Sequence, residues 1–193
     1  IMLEDIGKGL TVADTQKSID ILKAGGITPS MTFMVGNPNE NINDVLETVS
    51  FFIKNKIDVN PFICTPYPGT KIFMDNQDFI FQQYDERLAL LDKTPNPNID
   101  ENKIKQWKDE ALEKFLLSLN NATDYTCTVS RHFDFGDLLA IRHFMHQHDV
   151  KKLLKLAHMR GWEHDKKWNN QCDVCQAEEV LGIPVYNKNN LNN

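Results

Sequence analysis

Two short apolar runs, Met31 to Val35 and Val59 to Thr65, each follow a stretch of helical periodicity, and this helix, strand, helix, strand order constrains the chain more than any other feature. In the first stretch Thr11 and Asp14 form a capping-box pattern. Val12, Thr15, Ile19 and Leu22 then recur at helical spacing until Gly25-Gly26 supplies a stop. Asn41 caps a second helix, in which Ile42, Val45, Leu46, Val49, Phe52 and Ile53 make one apolar stripe. Met31 to Val35 is almost wholly apolar and ends at Gly36, which predicts a strand buried on both faces of a parallel sheet. Val59 to Thr65 reads as a second buried strand, with Pro61 near its start, where a missing donor costs little. Short connections between such elements are the mark of a β/α unit with a right-handed crossover. Two strands leave edges and faces uncovered, so the rest of the sheet is expected upstream of Ile1 and the chain is expected to be a fragment that self-associates.

Composition narrows the function classes. Of 193 residues, 41% are hydrophobic and 25% charged, a globular balance. A net charge of -6 without a basic stripe argues against a protein that holds nucleic acid by neutralising phosphates. No apolar run approaches the roughly 20 residues of a membrane span, and Ile1 to Lys8 lacks a signal-peptide pattern, so a cytoplasmic protein is expected. The 4 cysteines are too few for a disulfide scaffold, and Cys64 and Cys127 read as ordinary reduced thiols.

Two loops stand where an α/β protein gathers ligands, at the carboxyl ends of its strands. In Gly36-Asn37-Pro38-Asn39-Glu40, the glycine admits close approach to the main chain and Glu40 can take up orphan donors at a helix start. In Thr65-Pro66-Tyr67-Pro68-Gly69-Thr70, the prolines fix the backbone and Tyr67 offers a flat ring. Each loop alone reads equally as a well-formed turn. Together with Lys8-Gly9-Leu10-Thr11-Val12 and Gly26-Ile27, in this order and spacing, they resemble the later half of the barrel of radical S-adenosylmethionine enzymes, most closely those with a cobalamin-binding domain.

The resemblance covers roughly Ile1 to Met74. It implies an α/β fold, a partial (β/α) barrel with a mainly helical C-terminal extension. With the residue patterns further along, the chain divides into barrel residues 1–75, a linker 76–99 marked by Pro95 and Pro97, a helical region 100–186 and a frayed tail 187–193. The resemblance implies S-adenosylmethionine, a [4Fe-4S] cluster and possibly cobalamin as cofactors, a small-molecule substrate, a reductant protein as partner, and methyl transfer or oxidative cyclisation as chemistry. By the same resemblance Met34, Val35 and Gly36 lie along the adenine side of the S-adenosylmethionine through their backbone, Asn37 and Glu40 count with them as cofactor-binding residues, and Cys64, Thr65, Pro66 and Tyr67 border the ligand from the next strand. The chain departs from the family in one decisive respect: it contains no Cys-x-x-x-Cys-x-x-Cys segment. The expectation is that cluster ligands lie upstream, that this chain alone is inactive, and that it holds neither catalytic residues nor metal ligands.

Further along, Lys71 to Tyr84 carries no assignable pattern, and Asp100 opens a long helix with Ile104, Trp107, Ala111, Phe115, Leu116 and Leu119 on one side. Leu138 to His146 and Val150 to Met159 read as two more helices. Cys172-Asp173-Val174-Cys175 has thiol spacing that suits zinc or an iron-sulfur cluster, with His158 or His164 to complete the set; two structural thiols in a helical turn explain it as well. The rival to the enzyme reading is therefore a small interaction module built on a Cys172/Cys175 metal site. His143 and His146 share a helix face without a third ligand and read as polar surface.

Overall fold

The computed structural model describes residues 9–67, 69–83 and 128–181. The expected linker after residue 83, the helix opened by Asp100, Cys127 and the tail lie outside them. The described part is mixed α/β and mostly helical around one small parallel sheet.

Helix α1, Val12–Ala24, starts at the expected capping box, where Thr11 and Asp14 satisfy each other's backbone donors, and ends at Gly25. Only Ile19 of its apolar positions is buried; Val12 and Leu22 face outward. Polar contacts tether it instead: Gln16 and Asn55 exchange side-chain amide bonds at 2.8 and 3.0 Å, and Lys23 reaches the Asn55 carbonyl. Strand β1, Ser30–Val35, leads into α2, Ile42–Asn55, which carries a second capping box on Asn41 and Asp44. Ile42, Val45, Leu46, Val49 and Phe52 are buried as the stripe requires. Ile53 is 43% exposed, because nothing among the described residues covers that end of the stripe.

Strand β2, Asp58–Ile63, pairs parallel with β1 from Ser30 opposite Asp58 to Val35 opposite Ile63. The expectation of strands buried on both faces is corrected here. Phe33, Val35, Val59 and Pro61 turn toward the helices, whereas Thr32, Met34, Asn60 and Phe62 form an open face. Thr32 lies opposite Asn60 and Met34 opposite Phe62, so the open face is continuous across both strands. The stretch with no sequence pattern forms a short helix α3, Lys71–Met74, and a helical run over 77–83.

The C-terminal helices fall close to expectation, as α4, Phe135–His146, and α5, Val150–Arg160. A 3-10 helix, Lys166–Gln171, and α6, Asp173–Leu181, follow. They share one core with the β/α unit: Val35, Val45, Leu46 and Val49 meet Leu138, Ile141, Met145, Leu153 and Leu154, all fully buried. Burying one such side chain contributes about 1.5–3 kcal/mol, so this joint core dominates the cohesion of the described part. Arg142 of α4 donates from Nε to the Pro61 carbonyl at 3.0 Å, bringing a donor to β2 where the strand has a proline.

Candidate functional site

The two loops singled out in sequence meet. The backbone N–H of Cys64 donates to the Val35 carbonyl at 2.8 Å, so the segments that follow β1 and β2 leave the sheet side by side. Gly36 turns the chain at a φ of 91°, in the region glycine favours. Glu40 then folds back beneath the turn, and its Oε2 accepts from the N–H groups of Gly36 at 2.6 Å and Asn37 at 3.1 Å. Glu40 therefore serves the loop and not the helix start, which Asn41 and Asp44 already cap. Val35, Asn37, Glu40, Cys64 and Pro66 are buried, whereas Met34 and Tyr67 are 39% and 46% exposed. Thr65 donates its hydroxyl to the Ile63 carbonyl at 3.1 Å, and the Tyr67 N–H closes a turn on the Thr65 carbonyl.

Burial sets the electrostatics here. It pushes the Glu40 carboxyl up to about 7, although the Gly36 and Asn37 donors pull the other way. It also pushes the Cys64 thiol up to about 12, with the Glu40 charge adding to the effect. Cys64 is thus a neutral packing thiol and not a nucleophile at neutral pH. Glu40 Oε1 and Asn37 Oδ1 are buried and make no hydrogen bond of good geometry among the described residues, although the Asn37 side chain lies close enough to Glu40 to pull its pKa down. Such atoms are costly to leave unpaired and mark a place where a donor fits.

Sequence reasoning missed the neighbours that close this site from the C-terminal side. Arg131 donates its N–H to the Pro38 carbonyl at 3.1 Å, lies 3.8 Å above the Phe79 ring and bonds Asn76 through Nη2. Val129 packs with Cys64, Phe73 and Ile80 in a second small core. Leu138 fills the space over Gly36, so close that a Cβ at Gly36 would lie 2.9 Å from both of its methyl carbons. The close approach that Gly36 permits is made by α4. No local pattern announces these contacts, because they join segments far apart in the chain.

A second constellation lies among the C-terminal elements, in a segment tied to the start of α2 by the Asp165 N–H donating to Asn43 Oδ1 at 2.8 Å. His158 on the last turn of α5, His164 in the following loop, Cys172 after the 3-10 helix and Cys175 in α6 bring one ligand atom each within 4.8 Å of all the others. Sequence reasoning offered one histidine or the other; the structure gathers both. Burial and the neighbouring His164 hold the His158 imidazole below its ordinary range, and burial pushes the Cys175 thiol up to about 11. His143 and His146 stay on the exposed face of α4.

A stretch of 76 residues is 41% identical to part of a protein of Pyrococcus horikoshii named as an uncharacterised methyltransferase; it amounts to 37% of this chain and spans 16% of that relative. No protein-family profile matches the chain. No solved structure matches it. Among the described residues, no helix is long and apolar enough to cross a membrane.

Proposed function

We propose that this chain is the C-terminal part of a radical S-adenosylmethionine enzyme of the methyltransferase kind, and that the carboxyl ends of β1 and β2 border the S-adenosylmethionine. The observation that carries this reading is the meeting of the two strand-end loops, joined by the Cys64 N–H on the Val35 carbonyl, with the buried oxygens of Asn37 and Glu40 in the first of them lacking a hydrogen bond of good geometry. An exocyclic amine and ribose hydroxyls are the donors such atoms accept from. Met34 and Phe62 on the open sheet face, with the exposed ring of Tyr67 beyond them, offer the apolar wall a flat base needs. The similarity to a protein named as a methyltransferase supports the same reading.

The iron-sulfur cluster does not fit this chain's own residues. The sequence has no Cys-x-x-x-Cys-x-x-Cys segment, Cys64 is a buried free thiol packed among Phe73, Ile80 and Val129, and Cys172 and Cys175 gather with two histidines. In the proposed enzyme the cluster and any cobalamin are held by residues outside this chain. The described residues bind and orient the S-adenosylmethionine and close its site with Arg131 and Leu138. The rival reading, a separate metal-stabilised interaction module, is disfavoured by the core that the C-terminal helices share with α2 and β1.

Equilibrium dialysis with labelled S-adenosylmethionine, on the protein expressed from the whole reading frame, tests this. Asn37→Ala, which removes one acceptor, is expected to weaken binding by about tenfold, the value of one buried hydrogen bond. Wild-type affinity in Asn37→Ala and in Tyr67→Ala alike would overturn the placement.

A further inference from the structure

Three ligand atoms of the C-terminal constellation are spaced like one face of a coordination tetrahedron, and Cys172 Sγ lies within 4.8 Å of each of them. His158 Nε2 lies 3.2 Å from His164 Nε2, and Cys175 Sγ lies 3.4 and 3.6 Å from those two nitrogens. Around a tetrahedral zinc ion with its usual bond lengths, the N···N edge is about 3.3 Å and the S···N edge about 3.6 Å. These three edges agree with that figure to within about 0.2 Å. The sequence spacing is His158, His164, Cys172 and Cys175, a paired-thiol segment preceded by two histidines, with all ligands inside one short stretch.

Lone-pair direction is a second and independent sign. His164 Nδ1 lies 3.2 Å from the Asp165 carbonyl, which can only accept, so Nδ1 carries the proton and Nε2 presents its lone pair to the group. A histidine that ligates a metal through one nitrogen characteristically donates from the other to a carbonyl or carboxylate. On the sulfur side, the Cys175 N–H donates to Cys172 Sγ at 3.5 Å, which ties the two thiol positions together. Cys172 is 1% exposed and Cys175 half-buried, so these thiols do not simply face water.

The architecture also needs a tether at this place. Helix α6 has no buried residue of its own, and the 3-10 helix before it buries only Trp168. Val174 and Cys175 of α6 pack half-buried against the joint core, and to this are added an exposed ion pair between Asp173 and Lys151 at 2.8 Å and an exposed bond from Gln176 to the Asn170 carbonyl. Exposed pairs of that kind contribute little. A short helix with only a half-buried face gains from a cross-link, and two imidazoles with two thiols suit a borderline-soft, tetrahedral cation.

We propose that His158, His164, Cys172 and Cys175 bind one zinc ion in a closed Cys2His2 site that pins α6 to the end of α5. With all four positions taken by protein the ion has no place for water or substrate, so its role is structural. The site stands independently of the S-adenosylmethionine reading and would hold zinc whether or not that reading survives.

Metal analysis of the whole chain, purified without chelator, is expected to give one zinc per chain. Cobalt added to metal-stripped protein is expected to give the intense visible bands of a four-coordinate ion with a thiolate charge-transfer band. Cys175→Ser and His164→Ala are expected to weaken metal binding by more than about 100-fold, beyond the usual cost of an outer-shell change, while His146→Ala keeps the wild-type value. Should a ligand variant fail to fold, the cobalt titration of the wild-type chain decides alone. Less than a tenth of an equivalent of metal with a six-coordinate cobalt spectrum, zinc retained undiminished in both ligand variants, or an iron-sulfur chromophore in place of zinc would each overturn the proposal.

Discussion

Gly36 occupies a position no other residue fills without cost. Its φ of 91° disfavours any side chain, and Leu138 stands where the first carbon of one would go. Gly36→Ala is expected to destabilise the chain by about 1–3 kcal/mol in urea unfolding. Leu138→Ala alone is expected to cost about 2–5 kcal/mol through the cavity it leaves. The double variant should cost measurably less than the sum, because the shortened side chain relieves the clash; strict additivity would show that the two do not meet. Glu40 makes a pH prediction. Its pKa of about 7 in the fold stands above its ordinary 4.5, so between those values the folded state holds a proton that the unfolded chain has released. The contribution of Glu40 is therefore present in full below about pH 4.5 and lost as pH rises through about 7, a difference on the order of 3 kcal/mol. The stability of Glu40→Gln minus that of wild type should rise across this window; a difference that is flat with pH would contradict the burial of this carboxyl.

Elements with a local signature were legible and those held by distant partners were not. The capping boxes at Thr11 and Asn41 fixed where α1 and α2 begin, since a cap is a chemical match between residues three apart. The strands were readable as apolar runs, but their half-open state was not, because an apolar run does not say what covers each face. Lys71 to Tyr84 gave no pattern because its short helices are stabilised from outside, by Val129 against Ile80 and by Gln83, which bonds both backbone groups of Thr128. The strand-end loops were visible as Gly and Pro motifs, yet their neighbours Arg131 and Leu138 were not. The paired thiols were visible and their two histidines only as alternatives, since a fold and not a spacing decides which of them converge. At this scale the zinc proposal predicts a pattern of hydrogen exchange. Stripping the metal should release the amides of 166–181 while those of β1, β2 and α2 stay protected by the joint core; uniform loss of protection would mean that the site supports the entire fold.

For the whole molecule the open sheet face sets the behaviour in solution. Met34 and Phe62 lie side by side on it, 39% and 47% exposed, and the outer edge of β1 has no strand partner among the described residues. Sedimentation velocity of the chain by itself should show concentration-dependent self-association, reduced in Phe62→Lys. A monomer independent of concentration would argue that this face is covered by other parts of the chain. In the enzyme proposed above the same face would border the S-adenosylmethionine, so the decisive measurement is on the protein of the whole reading frame. The full reading frame is expressed, its cluster rebuilt with iron and sulfide, and 5′-deoxyadenosine quantified after adding S-adenosylmethionine and dithionite. The account predicts a reductant-dependent product whose yield at limiting S-adenosylmethionine falls about tenfold in Asn37→Ala, the effect of one lost buried hydrogen bond. No product from a protein whose reduced cluster is intact, or a reading frame that encodes no cluster-binding cysteines, would contradict it.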